Sequence, residues 1–487
     1  MALKTERKLI FEKSRPGLRC THLPVLDVPK AKTPDSALLR RKECELPEVS
    51  ELELVRHFTN LSRLNFSVDT NFYPLGSCTM KYNPKFTEDA ARMEGFWRLH
   101  PLLPQLKGGR ERSQGALEVL YETEKLLCEI TGMDAFTLQP SAGAHGELTG
   151  VMLIAAYHRQ KNRKRKYVLV PDSAHGTNPA SAAIAGYEII NIPSNEKGTM
   201  DIEKLKEKLN EDVAAIMMTC PNTVGIFEDQ IDEISRLAHQ VDALLYYDGA
   251  NLNAILGKCR PGDLGFDVIH LNLHKTFSTP HGGGGPGAGP VGVKSKLEKF
   301  LPISRVKKTK QGFSLDYDAA DSIGYIAPFY GNYGVILKAF AYILFLGKEG
   351  LIRSSEQAVL NANYILAKLK NIYAPACGGS RCMHECVLSA QALSPAGIHA
   401  LDIAKYLIDQ GIHPPTIYFP LIVKEALMIE PTESESKETL DRFIDAMAEA
   451  ARLSGENPCL LKNAPVTMPV TRLDETKAAR DMNCACL

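Results

Sequence analysis

The chain predicts an α/β fold, a mainly parallel sheet covered by helices, followed by a smaller α+β unit. Two observations carry that expectation. Between Gln114 and Leu271 short apolar runs alternate with helical stretches, the pattern of strands joined by crossover helices in a sheet buried on both faces. Beyond Tyr333 the pattern shifts to helical periodicity, and then to short strands set between helices. The expected division is an N-terminal arm and helical segment over 1–75, a large α/β domain over 76–332, and a C-terminal helical and small α+β domain over 333–487.

The elements follow in order. The first forty or so residues carry Pro16, Pro24, Pro29 and Pro34 among charges, which suits an extended arm rather than an independent core. From Leu46 a helix is predicted, with Pro47 in its first turn and Leu52, Val55, Phe58 and Leu61 at helical spacing. Asn71 to Lys81 is punctuated by proline and glycine and reads as a loop too polar for the core, of the kind that lines sites. A helix running to Ile130 is closed by Gly132, and Ser141-Ala-Gly-Ala-His-Gly146 opens another through Tyr157. Strands are predicted at Tyr167–Val170, Glu188–Ile192, Ala214–Thr219, Ala243–Tyr247 and Val268–Leu271. Later come a helix over Ser354–Tyr373, strands near Glu385–Leu388, Ile417–Leu421 and Leu427–Glu430, and helices over Gly397–Asp409 and Glu435–Arg452.

Composition excludes several classes. The 487 residues are 44% hydrophobic and 23% charged, enough to bury a large core in two or three domains. Lys+Arg and Asp+Glu balance at 57 each, so no bulk attraction to nucleic acid or to an anionic membrane is encoded. The run Arg159-Gln-Lys-Asn-Arg-Lys-Arg-Lys166 is a local exception and reads as the solvated end of a helix. Residues 1–8 mix charges of both signs without an apolar signal core, and no stretch is apolar enough to span a bilayer, so a cytoplasmic protein is expected. The twelve cysteines are scattered and read as free thiols. A strand would align Cys382, His384 and Cys386 on one face, but three ligands without a fourth do not make a zinc site, and no metal is expected.

The chemistry lies at strand ends. Val268-Ile-His-Leu-Asn-Leu-His-Lys-Thr-Phe277 is an apolar run that delivers Lys275, and Ala243-Leu-Leu-Tyr-Tyr247 delivers Asp248. Pyridoxal 5'-phosphate needs that pair: a lysine holds its aldehyde covalently, and a carboxylate keeps its ring nitrogen protonated. In an open parallel sheet ligands collect at the carboxyl ends of strands, and other loops leave such ends here. Ser141, Ala142 and Gly143 open a helix whose backbone N–H groups suit a phosphate. His175, in Asp172-Ser-Ala-His-Gly-Thr-Asn-Pro179, suits a stacking role on the ring. Thr223, in Thr219-Cys-Pro-Asn-Thr223, suits the phenolic oxygen or a substrate carboxylate. Ala250 and His274, beside the aspartate and the lysine, complete the expected cofactor-binding set. The glycine-rich run His281–Gly289 lacks the endings of nucleotide-binding loops and reads instead as a flexible cover over Lys275.

Five segments carry a resemblance. Thr70-Asn-Phe-Tyr-Pro-Leu-Gly-Ser-Cys-Thr-Met-Lys-Tyr-Asn83, Ser173-Ala-His-Gly-Thr-Asn-Pro-Ala-Ser181, Asp248-Gly-Ala-Asn-Leu-Asn-Ala254, Asn272-Leu-His-Lys-Thr-Phe277 and Met428-Ile-Glu-Pro-Thr-Glu-Ser-Glu435 closely resemble the glycine cleavage system P-protein family. The resemblance runs from about residue 50 onward and is strongest to the cofactor-bearing subunit of the family's two-subunit form. It implies a fold type I pyridoxal phosphate enzyme that decarboxylates glycine and passes the aminomethyl group to the lipoyl arm of H-protein. It implies a homologous subunit 1 as partner, two copies of each, with lipoylated H-protein as second substrate. Carried across, it makes Lys275 the Schiff-base lysine, Asp248 the ring-nitrogen partner and His175 the stacking histidine. Ser141 to Gly143 then lie near the phosphate, and the Thr70–Asn83 and Glu430–Glu435 segments around the mouth. Cys382-Met-His-Glu-Cys386 and the tail Asn483-Cys-Ala-Cys-Leu487 depart from the family's motifs and bear only on local thiol chemistry. Two other readings use the same residues: an amino-acid decarboxylase or aminotransferase of the same fold acting alone, and a noncatalytic subunit that keeps only the fold.

Overall fold

A computed structural model describes residues 8–42, 44–281, 287–468 and 470–481. The glycines of the expected cover over Lys275, residues 282–286, and the tail cysteines Cys484 and Cys486 lie outside the described residues. Two units are distinguished, one formed by Met1–Thr70 with Ala464–Leu487 and the other by Asn71–Asn463.

In the first unit helix α1 spans Glu51–Ser62, so the start expected at Leu46 is corrected. Ser50 caps it: its hydroxyl accepts from the Glu53 N–H at 3.3 Å, and the Glu53 carboxylate reaches back to the Ser50 N–H, satisfying donors that a helix leaves open. The stripe of Leu52, Val55, Phe58 and Leu61 is at helical spacing as expected but stays exposed, at 45–55%.

The second unit is built on a seven-stranded sheet: β1 Ala135–Thr137, β2 Tyr167–Pro171, β3 Glu188–Ile192, β4 Val213–Thr219, β5 Leu244–Gly249, β6 Val268–Leu271 and β7 Val291–Val293. Their order is β1-β7-β6-β5-β4-β2-β3, parallel except where β7 meets its two neighbours. Strands β1 and β7 were not foreseen, because three residues are too few to display a period. Helices α2 (Gln114–Thr131), α3 (Gly143–Gln160), α4 (Thr177–Ile184) and α5 (Ile231–Gln240) surround the sheet. Alternation along the strands sends Tyr246, Val268 and Met217 to one face, against Val151 and Ile154 of α3. It sends Tyr247, Ile269 and Met218 to the other, against Leu120 and Leu127 of α2 and Ile234 of α5. Both faces are covered, which is why the strands read as continuous apolar runs. Helix α2 ends where the sequence indicated, on Gly132 at φ +72°.

A hairpin of β8 (Arg305–Thr309) and β9 (Gly312–Asp316) follows. Helix α6 then runs over Tyr333–Leu369, earlier than the expected Ser354, with Gly347 at φ +59° interrupting its helical geometry. The small sheet is antiparallel throughout, in the order β10-β11-β13-β12, with β10 Ala374–Pro375, β11 Cys386–Ser389, β12 Thr416–Ile417 and β13 Ala426–Ile429. The strand expected to reach Leu421 stops at Ile417, since Tyr418 turns to φ +58° and Pro420 donates no ladder bond. Helices α7 (Ala400–Asp409) and α8 (Lys437–Glu456) bury Leu407, Leu440, Phe443 and Met447 with Ile365 and Leu369 of α6. The segment from Asn71 is a loop, but its polarity does not keep it out of the interior: Phe72, Thr79 and Lys81 are buried, and Leu75 forms a bridge to Ile429. Among the described residues no helix is long and apolar enough to cross a membrane.

One stripe of glycines brings α3 down onto the sheet. A Cβ at Gly143 would stand 2.2 Å from Asn272 Nδ2, one at Gly146 2.6 Å from the Gly289 carbonyl oxygen, and one at Gly150 2.3 Å from the Tyr246 ring. At Gly146 the obstacle is backbone and cannot rotate away. Gly146→Ala is therefore expected to cost about 1–3 kcal/mol of stability as an overpacked site. Chemical denaturation checks this, and an unchanged midpoint would show that α3 can shift without cost.

Candidate active site

The carboxyl ends of three adjacent parallel strands set one row of side chains. Thr219 of β4, Asp248 of β5 and His270 of β6 are consecutive register partners. Asp248 is 2% exposed. Its Oδ1 accepts from the Ala250 N–H at 2.9 Å, and His270 Nε2 lies 3.3 Å from the same oxygen. Burial alone would raise the Asp248 carboxyl, but His270, the Ala250 N–H and Lys275 together hold it below the usual carboxylate range.

Glu147, near the start of α3, completes this buried group; ligating atoms of Glu147, Asp248 and His270 lie within 4.8 Å of one another. It accepts from Thr177 Oγ1 at 3.0 Å and Ser181 Oγ at 3.4 Å. Burial, and then the Asp248 charge, push Glu147 up to about 8, so at neutral pH it keeps the proton that Asp248 has lost. The sequence singled out neither Glu147 nor His270. A glutamate inside a helix and a histidine inside a strand carry no local signal of such a role.

Lys275 stands in the turn after β6, with its backbone N–H bonded to the Asn272 carbonyl oxygen at 3.0 Å. Among the described residues its ammonium makes no hydrogen bond or ion pair. Its charge nevertheless acts on Asp248, Glu147, His175 and His274, so these groups share one neighbourhood. Ser141 and Ala142 are exposed just ahead of the buried Gly143, the first residue of α3, so the positive helix end opens here, although the Ser141 N–H is already donated to His145 Nδ1 at 3.2 Å. His175 is accessible, its Nδ1 2.9 Å from Thr177 Oγ1 and its ring edge-on to Phe419. Partial desolvation and Lys275 hold its imidazole below the usual value.

Two further residues of the expected set have partners within the protein. Thr223 donates its hydroxyl to the Ser173 carbonyl, so that proton is committed within the protein. His274 packs edge-on against His281, with centroids 5.0 Å apart, and burial lowers it to about 3.

The segment from Ser77 to Asn83 closes over this region through long-range contacts. Lys81, buried, donates to Glu433 at 2.6 Å, to the Thr276 carbonyl oxygen at 2.8 Å, to Asn253 at 2.9 Å and to Tyr342 at 3.3 Å. Asn83 donates to the Ser278 carbonyl oxygen at 2.9 Å. Glu430 accepts from the Thr79 N–H at 2.9 Å and the Thr79 hydroxyl at 2.5 Å, and Glu385 accepts from the Ser77 N–H at 2.9 Å. Cys78, carried by this turn, is raised by burial and by Glu430 and Glu385, against the opposing pull of Lys275.

The expectation of Cys382, His384 and Cys386 on one strand face is corrected: β11 begins only at Cys386, and the grouped side chains are His384, Glu385 and Glu430. Both of those carboxylates already hold the Ser77–Thr79 turn. Burial and then the Glu430 charge push Glu385 well above the carboxylate range.

The donor set fits pyridoxal phosphate. Among the described residues Lys275 is unpaired, and buried Thr219 Oγ1, Asn272 Oδ1 and Thr276 Oγ1 lack hydrogen-bond partners, which is expected of polar atoms that wait for a ligand. Residues 27–315 match the glycine cleavage system P-protein family, and residues 354–455 match the glycine dehydrogenase C-terminal domain. The chain belongs to the glycine cleavage system P-protein family. It is 58% identical over 483 residues to the probable glycine dehydrogenase (decarboxylating) subunit 2 of Caldanaerobacter subterraneus subsp. tengcongensis, covering 98% of each chain. It is 56% identical over 480 residues to the Exiguobacterium sibiricum protein of that name, covering 98% of this chain and 96% of that one. Its backbone is similar to a crystal structure of glycine decarboxylase (P-protein) of the glycine cleavage system in inhibitor-bound form, with TM-score 0.71 at 21% identity over 85% of this chain and 93% of the other. A cysteine desulfurase from Thermococcus onnurineus matches with TM-score 0.61 at 15% identity, over 79% of this chain and 95% of that one. The fold is fold type I, as expected, and pyridoxal 5'-phosphate is the cofactor of this family.

Glu147 yields a pH prediction. Its folded pKa of about 8 lies above its ordinary value of 4.5, so between those values the folded chain holds a proton that the unfolded chain releases. Stability from this group therefore falls as pH rises through that window. Glu147→Gln cannot ionise, so its melting temperature relative to wild type is expected to climb from pH 5 to pH 8. A constant difference across that range would show that Glu147 is ionised in the folded protein.

Proposed function

We propose that this chain is the pyridoxal phosphate-bearing subunit of a two-subunit glycine-decarboxylating P-protein. It acts on glycine, releases carbon dioxide and passes the remaining aminomethyl group to one sulfur of the lipoyl disulfide of H-protein, while the other sulfur takes a proton. A homologous subunit 1 completes the enzyme, two copies of each, in the cytoplasm. The observation that carries this reading is the meeting of the unpaired Lys275 amine, the buried Asp248 carboxylate and the N-terminus of α3 in a chain whose relatives are named as subunit 2 over nearly its whole length.

The bound cofactor supplies an electron sink for the pair released when glycine loses carbon dioxide. The chain does the holding. Lys275 would hold the cofactor aldehyde through its amine. Asp248, ionised and fixed at Oδ1, keeps a proton on the ring nitrogen. The start of α3 at Ser141, Ala142 and Gly143 would hold the phosphate, and His175 would cover the ring. The Ser77–Asn83 segment, tied by Lys81 to Glu433, forms a wall that keeps water from the reacting carbon.

The test is reconstitution with subunit 1 and lipoylated H-protein, followed by exchange between labelled bicarbonate and the glycine carboxyl group. Lys275→Ala is expected to lose both the visible absorbance of bound cofactor and the exchange. Asp248→Asn is expected to keep some cofactor while exchange drops by orders of magnitude. Full exchange by this chain alone, free of subunit 1, would overturn the two-subunit reading, and retained absorbance in Lys275→Ala would overturn the assignment of the amine.

A further inference from the structure

Two of the contacts that hold Asp248 fall on the same oxygen. The Ala250 N–H at 2.9 Å and His270 Nε2 at 3.3 Å both lie on Oδ1, and Oδ2 takes part in neither contact. His270 is in turn held by a second residue of the same sheet. Tyr246 Oη lies 2.8 Å from His270 Nδ1, and both side chains are fully or almost fully buried, at 0% and 1% exposure.

That pairing, taken together with the carboxylate facing Nε2, assigns the tautomer. Burial keeps the Tyr246 hydroxyl protonated far above neutral pH, and burial keeps the His270 imidazole neutral. A phenol that donates to Nδ1 leaves the one ring proton on Nε2, the nitrogen that faces Asp248. The carboxylate therefore meets a donor rather than a second lone pair. A flipped tautomer would turn Nε2 into an acceptor against a negative oxygen.

We propose that His270, set by Tyr246, is a positioning residue that orients Asp248 toward the cofactor ring nitrogen and keeps it a hydrogen-bond acceptor. This rests on the reading of Asp248 as the ring partner. Glu147 supports the arrangement from α3: by keeping its own proton at neutral pH it leaves Asp248 as the single negative charge of the group. The stripe of Gly143, Gly146 and Gly150 is what lets α3 bring Glu147 that close, since a Cβ at Gly146 would also stand 3.1 Å from His270 Cβ.

The test reads the ring nitrogen directly. Pyridoxal phosphate labelled with ¹⁵N in the ring is bound to the chain in the presence of subunit 1, and the ¹⁵N shift reports whether that nitrogen carries a proton. In wild type it is expected to be protonated, and in Asp248→Asn not. His270→Ala is expected to move the shift toward the unprotonated value and to raise the apparent dissociation constant of the cofactor about tenfold or more, the size of one lost polar contact to a charged group. His270→Gln, which offers an amide donor, is expected to restore most of the protonated signal. Tyr246→Phe, which leaves the packing in place, is expected to give a smaller change of the same sign and keeps the proposal testable if His270→Ala does not fold. A fully protonated nitrogen in both His270→Ala and Tyr246→Phe, with Asp248→Asn unprotonated, would overturn the proposal and leave the reading of Asp248 standing. A protonated nitrogen in Asp248→Asn would overturn both.

Discussion

A carboxylate kept ionised in the protein interior is the constraint on which the site depends. Asp248 sits at the end of a strand with apolar neighbours on both faces, where an unsupported charge would take up a proton or unfold its surroundings. Three features prevent that: a backbone N–H two residues on, a neutral histidine from the next strand, and the amine of Lys275. Each comes from a different stretch of chain, so the charge is secure only once β5, β6 and the turn after β6 are assembled. Glu147 adds the complementary restraint by remaining neutral.

The same assembly explains the close packing of α3. Its glycines permit contact at distances that any side chain would forbid, and that contact carries the helix N-terminus to the sheet edge where Lys275 emerges. A phosphate site at a helix start and an amine at a strand end are useful only at a fixed separation. At Gly146 the separation is set by backbone against backbone, the least compliant contact a protein has.

The wall around the site depends on a second buried charge. Lys81 is surrounded by four oxygen acceptors contributed by distant stretches of the chain, and its ion pair with Glu433 spans 352 residues of sequence. Burial alone would lower its ammonium, but Glu433 and Tyr342 outweigh that and hold it above the ordinary lysine value, so both partners stay charged at neutral pH. Removing either partner of such a pair leaves an uncompensated buried charge, which costs far more than the pair contributes. The polar look of Asn71–Lys81 was therefore misleading: those polar groups are inside, matched to acceptors that no local window contains.

By itself the sequence determined where the strands β2 to β6 run, which of their ends carry Asp248 and Lys275, and that α3 opens on Ser141–Gly143. Those features are local, because apolar runs, caps and glycines act over a few residues. The family was legible for a related reason, since its motifs are contiguous. Only the tertiary structure decided that His270 faces Asp248, that Glu147 keeps a proton, that Thr223 spends its hydroxyl on Ser173, and that His384 joins two glutamates rather than two cysteines. Protonation and hydrogen-bond partners depend on burial and on which groups meet across the fold, and neither is a property of a residue or of its neighbours in the chain.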